Sequence, residues 1–416
     1  MNANVKYLIQ LVNSVLYDTP APSPGEHIDW NEVFSAARAG EVMSILYRKL
    51  NEIQGDRRLS EETLNSLHFS SLKSGMIKIQ RYEQLAYILG EAKKKGISVV
   101  VFKGPVLADL YPEPMLRNSC DMDVYVEPKD LPAFEELLVE NGYVKNEEHS
   151  KDCVPVYLYQ NLLMIEAHCR LYEDYTGKRI QMLEQMNLTN PDTRITINAC
   201  GLELVTLGHE EHLVFLLFHL IKHISYNGCS IKTIVDIVLF VNAYVDKIQK
   251  ESFWKKMKQL GYDTFCRTLF SIGVYYFGMT KEIFIEDDYS ENVAIATMER
   301  MFETGILKAT VSGNEEDRRA AAIAFQSYYD SEDKKVNRFR VLQKTLFPSS
   351  KDLSFRYMYA RKYPVLIGVA WIHRAWNNLT VRFMSKEDER VDMLGDVRLA
   401  NQKLSLLKDL DLMQKD

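Results

Sequence analysis

Asp121 and Asp123 stand two residues apart at the head of an apolar stretch, Asp-Met-Asp-Val-Tyr-Val, at residues 121–126. On a strand, period-2 alternation puts both carboxylates on one face and Met122 on the other. Two such charges side by side repel, and each raises the other's proton affinity. A divalent cation between them removes that cost, and Mg²⁺ takes hard oxygen ligands of this kind. A β-branched run at 97–102 comes first and stops at Lys103-Gly104. A glycine there lets backbone N–H groups approach a phosphate closely. Glycine turn, short amphipathic segment and strand-borne Asp-x-Asp together read as a nucleoside triphosphate site. The chain carries its own control in Asp409-Leu410-Asp411, which has the same spacing in a polar, Lys-rich segment. That copy reads as a solvated helix end, because no apolar strand follows it.

A third acid lies downstream. Residues 154–160 and 161–170 read as two more strands, and within the second Glu166 and His168 share a face. An acid in the middle of an apolar strand is costly to bury unpaired. Glu166 is therefore either a solvated residue of an edge strand, or a third metal ligand or general base facing Asp121 and Asp123. The two acids expected on neighbouring strands favour the second reading.

The run Lys103-Gly104-x-x-Leu107-x-x-x-Tyr111-Pro112, then Arg117, Asp121-x-Asp123 and Glu166-x-His168, resembles the uncharacterised bacterial nucleotidyltransferases of the polymerase-beta-like superfamily. The likeness is clearest over residues 97–241, with a weaker echo at Phe347-Pro348 and from Tyr363-Pro364 to His373-Arg374. It implies an α+β fold, a small mixed β-sheet nucleotidyltransferase core embedded in a mainly helical protein. It implies transfer of a nucleoside monophosphate from an NTP, such as ATP, to a hydroxyl-bearing acceptor: a small molecule, a sugar or a protein. Asp121, Asp123 and Glu166 would be the catalytic acids and would hold Mg²⁺ (or Mn²⁺). Lys103, Gly104, Arg117, His168, His219, Lys222 and His223 would surround the nucleotide. The superfamily pattern has Gly-Ser or Gly-Gly, whereas Pro105 follows Gly104 here, and the gap to the first Asp is longer. Pro105 removes one N–H donor, which shifts the expected phosphate grip toward Lys103 and Arg117. It also supports a rival reading, a nucleotide- or partner-binding protein that has lost turnover. Intact acids argue against that rival, since clustered unneutralised carboxylates destabilise a fold that no longer uses a metal. A toxin–antitoxin-type protein modifier is the other alternative.

The elements that must position these residues follow from pattern. Helical periodicity runs over 3–16, 31–53 and 60–95, the last opening at Ser60 with Glu61 and Glu62 in its first turn. Strands are expected at 97–102, 121–126, 154–168 and 193–206, with a helix at 129–141 closed by Asn141-Gly142. Helices then recur near 209–225, 230–247, 251–261, 263–278, 291–303, 315–328, 336–346 and 365–385. The order predicts an N-terminal helical region (1–95), the nucleotidyltransferase-like core (96–207), a helical domain lining the cleft (208–330) and a C-terminal helical region (331–416).

Four of nine histidines fall at 209–223. On a helix, His212, His219 and His223 stand within about 40° of one another, and Lys222 lies about 80° off that stripe. Val214, Leu217, Leu220, Ile221 and Ile224 take the opposite side. The stripe is a solvated face, a cleft lining that meets phosphates or acceptor, or a zinc chelate at i, i+4 that lacks the H-E-x-x-H pattern; cleft lining is favoured. Asp236, among Ile231, Ile234, Val235, Ile237 and Val238, needs a partner if buried. Lys232, one turn back, is the favoured one, with contact to the acceptor or to a histidine of the preceding helix as the alternative.

Composition bounds the rest. Apolar content of 46% and charged content of 26% exclude wholesale disorder. Net charge is −6 and pI near 5.9, so nucleic acid is not an expected partner, although Lys and Arg cluster at 318–345 and around 374–382. Six cysteines form no C-x-x-C pair, which argues against a zinc knuckle or disulfide scaffold and for reduced thiols in the cytoplasm. The first 17 residues are interrupted by Asn, Gln and Lys and do not read as a signal peptide. No apolar run is long enough to span a bilayer.

Overall fold

Ser60 opens the longest described helix: its hydroxyl accepts from the Thr63 N–H, and Glu61 and Glu62 sit where the helix dipole favours acids. This computed structural model describes residues 1–53, 58–119, 121–147, 149–150, 153–160, 162–171, 177–226, 228–286, 288–308, 347, 357–373, 376 and 393–413. Helices α1 (Ala3–Leu16), α2 (Trp30–Ala39) and α3 (Met43–Leu50) precede α4 (Glu61–Lys94). The helical period over 31–53 thus belongs to two helices. The chain breaks at Gly40-Glu41, where Glu41 takes φ 60°. Gly40 also has Ile231 Cδ1 only 3.0 Å from where a Cβ would stand.

A five-stranded sheet follows, built from β1 (Val99–Val101), β2 (Asp121–Val126), β3 (Val144–Lys145), β4 (Val156–Tyr159) and β5 (Leu163–His168), in the order β1-β2-β5-β4-β3. It is mixed: β2 and β5 are parallel, and β1–β2, β4–β5 and β3–β4 are antiparallel. A short helix α5 (Pro105–Ala108) joins β1 toward β2, and α6 (Leu131–Glu140) follows β2. Alternation splits the sheet into two faces. Met122, Val124, Val126, Ile165 and Ala167 pack with Phe134, Leu137 and Leu138 of α6 and with Leu85, Ile88 and Ala92 of α4. The other face carries the acids. The strand expected at 193–206 is a hairpin, β6 (Ile195–Ala199) and β7 (Leu202–Thr206), turned by Cys200 and Gly201, both with positive φ. α7 (Gly177–Met186) lies between β5 and the hairpin.

Beyond it come α8 (His209–Tyr226), β8 (Cys229–Ser230), α9 (Ile231–Tyr244), α10 (Lys250–Leu260), α11 (Asp263–Phe277), α12 (Glu291–Glu303) and β9 (Leu307–Lys308). The helices expected at 315–328 and 336–346, much of that at 365–385, and both basic clusters lie outside the described residues. Contacts divide the chain into two units. The first is Met1–Ile224, Gly228–Gly313 and Leu407–Asp416; the second is Ser225–Asn227 and Asn314–Leu406. In the second, Tyr357, Ala360 and Ala370 form a small buried cluster around the helix Met358–Lys362. No described helix is long and apolar enough to cross a membrane.

One buried ion pair fastens the loop before β2 to α9. Arg117 donates through Nε to Asp236 Oδ1 at 2.8 Å and through Nη2 to Oδ2 at 2.9 Å, and the Tyr111 hydroxyl donates to Oδ1 at 2.8 Å. Asp236 is 5% exposed and Arg117 4%. This corrects the expected Lys232 partner: Lys232 Nζ pairs with Glu41 instead. Burial alone would depress the Arg117 guanidinium, but Asp236 outweighs it and holds the charge in place. Lys78 of α4 secures the same loop, donating to the carbonyls of Pro114, Met115 and Arg117. Removing one member of a buried pair strands the other charge. Asp236→Ala should therefore lower the unfolding free energy by about 3–5 kcal/mol, read by urea denaturation. Adding Arg117→Met should recover part of that loss.

Candidate active site

Register places the acids. Asp123 pairs across β2–β5 with Glu166, Asp121 with Met164 and Tyr125 with His168, so Asp121, Asp123, Glu166 and His168 all project to one face. Asp123 is at the centre, 2% exposed. Its Oδ1 accepts from Lys103 Nζ at 3.1 Å and from His168 Nε2 at 3.2 Å. Its Oδ2 is buried with no hydrogen-bond partner. Burial opposes ionisation of Asp123, but Lys103 and His168 outweigh it and hold the carboxyl well below the usual carboxylate range. Mutual repulsion of Asp121 and Asp123 was expected to raise both. Lys103, arriving from the β1 turn, reverses the direction at Asp123. The repulsion falls on Glu166, where burial, then Asp123, then Asp121 raise the proton affinity.

The Lys103 turn is built for this approach. Gly104 has φ 61° and ψ −117°, and a Cβ there would lie 2.4 Å from Met122 Sδ. Only glycine fits. Pro105 then starts α5 without an N–H, and the Val106 N–H bonds the Lys103 carbonyl. The turn is correspondingly short of donors for a phosphate. Lys103 is itself buried, with Nζ 5.7 Å from the Phe215 ring centroid.

α8 covers the acid face. Phe215 packs edge-on to Phe102 with centroids 4.6 Å apart, and Phe102 stands edge-on to His168. His212 Nε2 donates to the Phe102 carbonyl at 2.6 Å. A carbonyl only accepts, so the His212 proton is on Nε2. His212 was expected with the stripe but not as the clamp on the strand end that delivers Lys103. His219 stacks on Phe215, and its Nε2 is 2.9 Å from that of His223. One ring of that pair must donate to the other. The fields of Asp123 and Lys103 both reach His219. Those of Lys103, Lys308 and Lys222 reach His223. The stripe therefore borders the acids.

The structure thus gathers Lys103, Asp123, Glu166, His168 and His219 in one place, with His223 and Lys222 beside them. One carboxylate oxygen each of Asp123 and Glu166 and a ring nitrogen of His168 lie within 4.8 Å of one another; no such cluster among the described residues includes Asp121. Arg117 is engaged by Asp236, with Nη1 buried and unpartnered. The contacts of Tyr111 and Arg117 with Asp236 and of His212 with the Phe102 carbonyl were not foreseen. The only sequence signal for Asp236 was an acid in an apolar helix.

The profile of a family described as "uncharacterised nucleotidyltransferase" matches residues 26–278, well over half of the chain. No curated protein matches. Among solved structures, an antigenic nucleotidyltransferase-like protein from Paracoccidioides brasiliensis is similar at 14% identity and a TM-score of 0.28, over 44% of this chain and 86% of that one. That overlap is too loose to inform the site.

The histidines set a pH dependence. Burial pushes His212 and His223 down to about 4, and His219 well below its ordinary value. Above about pH 6.5 neither folded nor unfolded chain protonates these rings. As the pH falls from about 6.5 toward 4 the unfolded chain takes up protons that the folded one refuses. Stability should fall through that window, by up to about 1.4 kcal/mol per pH unit for each histidine. Urea melts at pH 7, 6 and 5 read this directly. An unfolding free energy unchanged between pH 7 and 5 would contradict neutral, buried rings.

Proposed function

Because the chain belongs to the uncharacterised nucleotidyltransferase family, we propose that it moves a nucleoside monophosphate from an NTP to a hydroxyl-bearing acceptor, in the manner of the polymerase-beta-like superfamily. The observation that carries this reading is the orphaned, buried Oδ2 of an ionised Asp123 directly across the register from Glu166. A buried, unpartnered carboxylate oxygen in that position fits a cation, as do the acids around it. Asp121, Asp123 and Glu166 would hold Mg²⁺ or Mn²⁺. When bound, such an ion neutralises the triphosphate and lowers the pKa of the acceptor hydroxyl.

The chain's own groups do the rest. Lys103 brings a fixed positive charge to the phosphates on a turn that Gly104 allows. Arg117 fixes the loop that delivers Asp121, in place of the direct phosphate contact expected of it. His219 and His223, neutral and facing one another, offer a hydrogen-bonding wall with Lys222 at its edge. The acceptor oxygen attacks the α-phosphorus and pyrophosphate leaves from the opposite side. The donor-poor turn after Gly104 favours a second reading, a nucleotide-binding member with impaired turnover.

The test is pyrophosphate release and label transfer from each α-labelled NTP with Mg²⁺ or Mn²⁺. Asp121→Asn and Asp123→Asn should each lower the rate by about a hundredfold or more. Asp121→Asn should leave the melting temperature nearly unchanged, whereas Asp123→Asn strands the buried Lys103 and should lower it. Wild-type turnover in either variant would remove the carboxylates from the mechanism. Nucleotide binding without pyrophosphate release would select the second reading.

A further inference from the structure

The acid face holds two unlike positions. The inner one offers the clustered oxygens of Asp123 and Glu166 together with the His168 ring nitrogen. His168 Nε2 is 3.2 Å from Asp123 Oδ1 and 3.8 Å from Glu166 Oε2, and His168 is itself buried. Asp123 Oδ1 is shared by Lys103 and His168, so the unpartnered Oδ2 is the oxygen left for an ion. The outer position has Asp121, half-buried at the start of β2 and outside the cluster.

Resting on the nucleotidyl-transfer reading of this face, we infer that the inner position selects a first-row transition cation of the Mn²⁺ type over Mg²⁺, with His168 as its nitrogen ligand. Mg²⁺ demands oxygen ligands and dehydrates reluctantly. Imidazole is a softer donor that transition cations accept, and Mn²⁺ also accepts carboxylates. A third carboxylate in place of His168 would have left the site open to Mg²⁺. As a ligand, His168 would offer its Nε2 lone pair to the ion in place of the hydrogen bond to Asp123. Asp121 is left to the metal that arrives with the triphosphate. The residue expected to touch nucleotide thereby becomes a determinant of metal choice.

The experiment uses the full chain without nucleotide. Mn²⁺ is titrated in, and loss of the free-ion electron paramagnetic resonance signal reports binding. One bound Mn²⁺ is expected, retained against about a hundredfold excess of Mg²⁺. Pulsed spectra should show nitrogen coupling from one imidazole. His168→Gln should weaken Mn²⁺ binding about tenfold or more and abolish that coupling, while Asp121→Asn should leave the nucleotide-free affinity essentially unchanged. Absence of bound Mn²⁺, displacement by Mg²⁺ at equal concentration, or a wild-type spectrum without nitrogen coupling overturns the assignment. The wild-type spectrum decides it even where His168→Gln fails to fold. A chain that binds Mn²⁺ through nitrogen yet never transfers a nucleotide would instead sink the proposed activity.

Discussion

An ionised carboxylate is buried on the second strand of the sheet, and the surrounding structure is arranged around that fact. Asp123 would be costly to bury in this place alone. Lys103 offsets the charge from one neighbouring strand end, and His168 donates from the other. Each of those groups then needs its own support. Lys103 requires a turn that passes Met122 at a distance only a glycine tolerates. His168 requires the Phe102 edge beside it. Phe102 in turn is held by His212 and Phe215 of α8. The helix that closes the face is thus part of the electrostatics.

Burial first, and then the Lys103 charge, keep His212, His219 and His223 neutral: their environment already contains a buried ammonium, and a second or third cation in the same low-dielectric space would be repelled. His219 and His223 satisfy one another instead, nitrogen to nitrogen. Glu166 receives the complementary treatment. It is largely buried and faces two carboxylates, and so holds a proton more readily than an ordinary glutamate.

Much of the acid constellation was legible because strand alternation is a strict period. Asp121, Asp123 and Glu166 share a face once β2 and β5 are recognised as strands. The sheet, the long α4 and the helix boundaries between residues 209 and 303 follow from apolar patterning and caps. The compensating cations were not legible. Lys103 reaches Asp123 by a turn geometry that sequence does not specify, so repulsion between the aspartates was expected where the fold supplies a counter-charge. Arg117 and Asp236 are 119 residues apart, and the local rule that pairs i with i+4 pointed to Lys232. The break between α2 and α3 was hidden for a different reason. The apolar period runs on through Gly40-Glu41, and only the left-handed backbone at Glu41 interrupts it.

That separation along the chain bears on synthesis. A ribosome delivers β1, β2 and β5 well before α8 and α9, and translation at about 5–20 residues per second places roughly 6–24 seconds between Arg117 and Asp236. During that interval the loop before β2 lacks the anchor that fixes it, and the acid face lacks its cover. Assembly of the site must wait for α9. A nascent sheet therefore passes through a stage with its acids uncovered and its arginine unmatched, when a chaperone or a premature cation could engage it.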